Sequence, residues 1–357
     1  MSQLTPPRLK NDCFALPPGV DWTPVDEALA RLRDRLSCVV GQERLTVGDA
    51  AGRILAADAG AVRSNPPAPN SAVDGYGIAH ASTGDGDQIL PLHPGRAAAG
   101  APFEGTVPAG TALRILTGAV LPPGVDTVVL EEDVSTDGDR IAFEGPVKPG
   151  SNARKAGEDV EAGQVAVTTG TRLGPPHLAL LAATGVSHVT VFMPLRVGVL
   201  STGDELVDPE VTTDPARTYD ANRPMLLALA ADWGMKAVDL GHVVDDRAAL
   251  RVRLDEARSR CDVILTSGGA SAGDEDHVSA LLGETGSRAD WRIALKPGRP
   301  LALGIWDGVP IFGLPGNPVA ALVCTLIFAR PAFAALGGEG WRTPHGFLVP
   351  AAFEKRK

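Results

Sequence analysis

The sequence predicts a multidomain α/β protein: a doubly wound sheet domain in the C-terminal half, a β-rich domain before it and a mixed linking segment. Three observations carry this. From Pro194 onward, strand-like apolar runs alternate with helical periodicity, the pattern of a mainly parallel sheet with helices on both faces. Two of those runs lead straight into glycine-rich acidic loops, Ser201-Thr202-Gly203-Asp204-Glu205 and Ser267-Gly268-Gly269 through Gly273-Asp274-Glu275-Asp276. From about 59 to 150, short apolar segments alternate with Gly, Pro and Asp and no helical period intervenes, which reads as β structure.

Taken in order, the first strong element is a helix from about Pro24 to Ser37. Thr23 suits its N-cap, Pro24 its first position, and Asp26 completes a capping-box-like pattern. Val25, Leu29, Leu32 and Leu36 make one apolar stripe that needs a partner, a second subunit being one choice. Strand-like pieces follow at Thr111–Leu116, Thr127–Leu130, Arg140–Phe143 and Gln164–Thr168, and Pro175-Pro176 opens a short helix ending near Gly185. The sheet domain has strand-like runs at Leu195–Leu200, Ala237–Val243, Val263–Thr266, Ile293–Leu295 and Val309–Leu314. Helical runs lie near Ala221–Trp233, Arg247–Arg260, His277–Leu282 and Val319–Leu336.

Composition narrows the function. The 357 residues exceed one ordinary core, and 44% hydrophobic content excludes disorder, so the 41 Gly and 30 Pro belong to turns between short elements. A net charge of −10 argues against nucleic-acid or membrane-surface binding, which need a positive field. Cys13, Cys38, Cys261 and Cys324 are scattered, so neither a disulfide framework nor a zinc site is indicated. No signal-peptide pattern opens the chain, and the longest apolar run, Val319–Ala329, is short for a membrane span; a cytoplasmic protein is expected.

The chemistry concentrates at strand ends. Glu205 beside Asp204, Asp245 beside Asp246, and Asp276 in its acidic loop follow three different strands, and strand ends converge in a doubly wound sheet. Hard carboxylate oxygens at that density suit Mg²⁺ holding phosphate groups. Arg292 and the turn Lys296-Pro297-Gly298-Arg299-Pro300 bring cations that suit an oxyanion. Pro315-Gly316-Asn317 turns from a strand into a helix whose first N–H groups make a natural anion site. Earlier in the chain, Asp74 sits in a polar turn, Thr117 at a strand end and Arg154 in a cationic loop. The seven histidines show no ligand spacing.

Taken together, these segments resemble the molybdopterin molybdenumtransferase family, which includes the gephyrin E domain. The ordered matches are Asn70–Tyr76, Arg114–Ala119 with Pro122–Glu132, Gly150–Asp159, Val197–Leu206, Asp220–Arg223, Ser267–Asp276, and Lys296–Pro300 with Gly313–Pro318. The resemblance implies molybdenum insertion into adenylylated molybdopterin, with molybdate and Mg²⁺ consumed or used and AMP released. It implies Glu205, Asp245 and Asp276 as metal-binding acids. Asp74, Thr117 and Lys296 join them as catalytic residues. Arg154, Ser267, Gly268, Gly269, Arg292, Arg299, Pro315, Gly316 and Asn317 are implied to bind substrate.

It further implies a linking and dimerisation domain at 19–58 and 151–193, a β-rich domain at 59–150 and a molybdopterin-binding (Rossmann-like) domain at 194–338. The remainder, 339–357, reads as the first strand of a C-terminal β-barrel domain that is otherwise largely absent. A homodimer with shared sites is implied, with molybdopterin adenylyltransferase as pathway partner. The alternatives are that adenylyltransferase activity itself, which resembles only the sheet domain, and a non-catalytic molybdopterin-binding scaffold. Departures from the family pattern are Ala68-Pro69 for an aromatic and an acid, Val73 for Met, Arg299 for Lys, and Ala270 and Ala272 for Val.

Overall fold

The computed structural model describes residues 22–210, 214–268, 277–284, 289–295, 297, 300–343, 346–350 and 352. They divide into two compact units. One holds Arg44–Ala51 and Ala57–Val189; the other holds the described residues up to Glu43, Gly52–Ala56, and those from Thr190 on.

The first unit is built on six strands: β1 (Gly75–Ile78), β2 (Gly86–Ala97), β3 (Ala112–Ile115), β4 (Thr127–Leu130), β5 (Ser135–Thr136) and β6 (Arg140–Gly145). Their order is β4-β1-β3-β2-β6-β5. One face buries Tyr76, Ile78, Leu90, Val129, Ile141 and Phe143, and the other buries Ala97, Leu113, Ile115 and Val128. The β-rich expectation therefore holds, but β2 was not foreseen. Pro91 and Pro94 argue against a strand there. The chain accommodates them because β2 shifts register between Leu92 and Arg96 as it passes from one neighbour to the next. The same unit contains the helix Pro175–Ala183, which starts at its two prolines as expected.

The second unit carries helix α1 (Val25–Arg33) and six more strands: β7 (Arg196–Thr202), β8 (Lys236–Val243), β9 (Val263–Ser267), β10 (Ala289–Arg292), β11 (Pro300–Trp306) and β12 (Val309–Leu314). Their order is β8-β7-β9-β12-β11-β10. The first four run parallel, and β11 and β10 are antiparallel additions at one edge. Helix α2 (Asn222–Asp232) and the helical stretch from Pro318 to Leu336 cover one face, burying Leu226, Ala230, Phe328 and Phe333 on Val197, Val199, Leu265 and Phe312. Helices α3 (Arg247–Ala257) and α4 (His277–Glu284) cover the other, where Leu250, Leu254, Leu281 and Leu282 pack on Leu200, Ile264 and Ile311. Helices on both faces explain why β7 and β9 are almost continuously apolar.

Several expectations need correction. The run expected at Ile293–Leu295 is not a strand of the sheet; the strand ends at Arg292, and Ile293 makes only an isolated bridge to Thr23. Strand β11 was hidden behind the turn read at Lys296–Pro300. Thr23 does not cap α1. Pro24 is the N-cap and has no side-chain group to bond with, while the Thr23 backbone carbonyl accepts from the N–H of Ala294. The stripe of α1 finds its partner within the chain, Ala28 and Leu32 joining the core of the parallel sheet. The helical stretch Pro318–Leu336 is long and apolar enough to cross a membrane, unlike the shorter run read from the sequence, but 61% of it is buried here. A π-helical turn at Thr325–Ala329 joins its two α-helical parts. The strand expected from Phe347 is not formed among the described residues: 346–350 carry no regular structure, and Phe347 is exposed.

Candidate functional site

The chain leaves β7 for β8 on one side and returns to β9 on the other, so the order reverses between β7 and β9. Open α/β sheets bind ligands in the crevice outside such a reversal, at the carboxyl ends of the strands. Both glycine-rich loops start there. Gly268 needs its glycine: φ is +94°, and a Cβ would lie 2.5 Å from the Thr202 carbonyl oxygen. Its N–H donates to the Leu314 carbonyl at 3.2 Å, which ties the end of β9 to the end of β12.

The acids after β7 and β8 are brought together. The N–H of Asp204 donates to Asp245 Oδ2 at 3.2 Å, and the N–H of Asp245 donates to Asp204 Oδ1 at 2.9 Å. Glu205 folds its carboxylate back over Gly203, where a Cβ would collide with it. The carbonyls of these loops are held too. His242 Nε2 lies 2.6 Å from the Gly203 oxygen, His277 Nε2 lies 3.0 Å from the Asp245 oxygen, and the Arg217 guanidinium donates to the Asp204 oxygen. Asp246, in contrast, caps α3 by accepting from the N–H of Ala249 at 2.7 Å.

Among the described residues, no group of three or more His, Cys, Asp and Glu gathers closely enough to hold a metal ion alone. Asp276, the third expected acid, lies outside the described residues. The donors present nevertheless fit Mg²⁺. Asp204 and Asp245 each spend one carboxylate oxygen on an N–H and keep the other. Mg²⁺ is commonly bound by one or two carboxylates, with waters and substrate phosphates completing the shell.

On the other flank, Asn222, at the start of α2, donates from Nδ2 to Ser267 Oγ at 2.6 Å and to the Gly316 carbonyl at 2.8 Å. Pro315 is buried, and Gly316 and Asn317 are exposed at the turn after β12. Asn317 caps the next helix, accepting from the N–H of Ala320 at 3.1 Å. Pro318 has no N–H, so this helix end offers fewer free donors than its position suggested. Arg292 ends β10 opposite Pro300. Gly269, Lys296 and Arg299 lie outside the described residues.

In the first unit, Gly75 approaches the Val129 backbone too closely for any side chain, which sets Asp74 at the head of β1. Asp74 Oδ1 accepts from the Thr117 hydroxyl at 2.6 Å and its N–H at 2.7 Å. These two bonds, the hydroxyl first, hold the Asp74 carboxyl below its ordinary 3.8. Arg154 is not a free cation: it pairs with Asp159 at 2.6 Å and Glu158 at 3.1 Å. Sequence reasoning missed His242, His277 and Arg217 and gave Asn222, within the matched segment Asp220–Arg223, no role; their contacts join residues apart in the chain and follow no local spacing.

Residues 23–185 match the family described as MoeA N-terminal region (domain I and II), and 198–335 match the probable molybdopterin binding domain. The molybdopterin molybdenumtransferase of Haemophilus influenzae is 37% identical over 336 residues, covering 93% of this chain and 82% of that one. That of a Nostoc species is 34% identical over 299 residues, covering 81% and 69%. The crystal structure of the molybdopterin biosynthesis moeA protein from Pyrococcus horikoshii superposes with a TM-score of 0.74 at 29% identity, over 89% of this chain and 80% of that one.

Proposed function

Because the chain belongs to the molybdopterin molybdenumtransferase family, we propose that it inserts molybdenum from molybdate into adenylylated molybdopterin, releasing AMP as the last step of molybdenum cofactor synthesis. The observation that carries this reading is the pairing of Asp204 with Asp245 beside Glu205, at the strand ends where the sheet order reverses. Glu205, Asp245 and Asp276 would hold Mg²⁺, which when bound neutralises charge on the phosphate oxygens of the anhydride. Ser267, Gly268, Gly269, Pro315, Gly316 and Asn317 would bind the phosphate side of the substrate, Ser267 and Gly316 being tied to each other through Asn222. Arg292, Lys296 and Arg299 counter the anionic charge of molybdate and phosphate. Lys296 also acts in catalysis.

Asp74 and Thr117 serve the reaction from the first unit, the two Thr117 bonds holding the Asp74 carboxylate in place. In a homodimer, each subunit would lend this pair to its partner's strand-end crevice. Arg154 then orders that edge through its two ion pairs. The linking segment 19–58 and 151–193 forms the dimer contact, 59–150 and 194–338 being the β-rich and molybdopterin-binding domains. A molybdopterin adenylyltransferase supplies the substrate, and the enzyme works in the cytoplasm without nucleic acid or membrane.

Adenylyltransferase activity is the weaker reading, because the match to the family's N-terminal region extends over 23–185, outside the sheet domain. The proposal is tested by binding of adenylylated molybdopterin with and without Mg²⁺. Binding that tightens with Mg²⁺ and loses that dependence in Asp245→Asn supports it. Binding indifferent to Mg²⁺ indicates the scaffold.

A further inference from the structure

We propose that Asn222 is a positioning residue that clamps the ends of β9 and β12 together and so sets the shape of the phosphate side of the crevice. The inference rests on the strand-end crevice being the substrate site.

Asn222 is buried, with 6% of its surface exposed, yet it stands at the very start of α2 beside exposed strand-end loops. Its amide nitrogen faces a carbonyl, that of Gly316, so the donor must point there and the orientation of the carboxamide is settled by its partner. The same nitrogen reaches Ser267 Oγ. One side chain thereby joins the last residue of β9 to the turn that follows the neighbouring parallel strand β12. The two strand ends are otherwise joined, beyond the ladder, by the N–H of Gly268 on the Leu314 carbonyl.

Among the described residues, Asn222 Oδ1 is buried without a hydrogen-bond partner, and the same is true of Ser201 Oγ. Ser201 is the register partner of Ser267 on the neighbouring strand. Buried polar atoms without partners are costly; an apolar residue at 222 would remove Asn222 Oδ1 but would take the donor from the buried Ser267 Oγ and from the Gly316 carbonyl. The polar side chain thus spans the end of β9 and the turn after β12, and its two bonds are what the clamp consists of.

Asn222→Ala removes both bonds. Asn222→Asp keeps the shape but sets a carboxylate against the Gly316 carbonyl. Ser267→Ala cuts one tether only. Amide exchange is measured on each full-length protein without substrate, together with the melting temperature and with KM and kcat for AMP release. The clamp predicts at least tenfold faster exchange at Gly268 and across Gly316–Asn317 in Asn222→Ala and Asn222→Asp, with the amides of β7 unchanged. It predicts a smaller rise in Ser267→Ala, and a KM for adenylylated molybdopterin raised about tenfold with kcat changed less. Faster exchange throughout the sheet in proportion to a lowered melting temperature would overturn the clamp in favour of a plain core role. Unchanged exchange at both loops would overturn it as well. Failure of the wild-type protein to release AMP would count against the proposed reaction, while the exchange data would still decide whether the clamp exists. Should Asn222→Ala fail to fold, Asn222→Asp and Ser267→Ala carry the comparison.

Discussion

Asp204 and Asp245 hold each other by a reciprocal pair of hydrogen bonds, the backbone N–H of each donating to the other's carboxylate at 3.2 and 2.9 Å. Either aspartate thus fixes the loop that carries the other. Asp204→Ala should lower AMP release about 10–100-fold, the range for residues that orient a metal site, and Asp245→Ala, which also removes an acid proposed to hold the metal, should lower it further. The double variant should be little worse than the poorer single one, a coupling of about 1–3 kcal/mol. A double-mutant cycle on initial rates checks this, and strictly additive losses would show the two acids acting independently.

Asp245 and Asp246 are neighbours in sequence with different work. Asp246 caps α3 through Ala249. Asp246→Ala should cost about 1 kcal/mol in denaturant unfolding with the KM for substrate unchanged. Asp245→Asn should do the reverse, with activity lost and unfolding free energy nearly kept.

The low pKa of Asp74 comes first from the Thr117 hydroxyl and then from the Thr117 N–H. A depressed carboxyl adds stability above its unfolded value, and that stability is lost as pH falls through the folded value below 3.8. Thr117→Val removes the hydroxyl and keeps the N–H. The Asp74 titration, followed by carboxyl NMR, should therefore move part of the way up toward 3.8. No movement would mean that the hydroxyl does not bond Asp74 in solution.

Burial pushes the thiols of Cys261 and Cys324 up to about 11, while Cys38 is exposed. Because the thiolate is the reactive form, iodoacetamide at pH 8 should label Cys38 in the folded protein and reach Cys261 and Cys324 only on unfolding. Mass spectrometry of the labelled peptides reads this directly.

Much of the sheet domain was legible in the sequence because both faces of β7 and β9 are covered, leaving unbroken apolar runs before their glycine loops. The acids could be placed at strand ends for the same reason. What stayed hidden obeys no local period. Strand β2 contains Pro91 and Pro94, which ordinarily exclude a strand, and survives through its register shift. Strand β11 begins at a proline on an antiparallel addition to the sheet. Asn222 fell within the matched segment Asp220–Arg223 without a role of its own, and only the fold shows it reaching Ser267 and Gly316. Arg154 was legible as a cation, but its pairing with Glu158 and Asp159 was not anticipated.

The most direct test is AMP release from adenylylated molybdopterin by the purified chain with Mg²⁺, with and without molybdate. The account predicts release that depends on molybdate and is lost in both Asp245→Asn and Asp276→Asn. Bound substrate with no AMP formed, or AMP formed equally without molybdate, would contradict it.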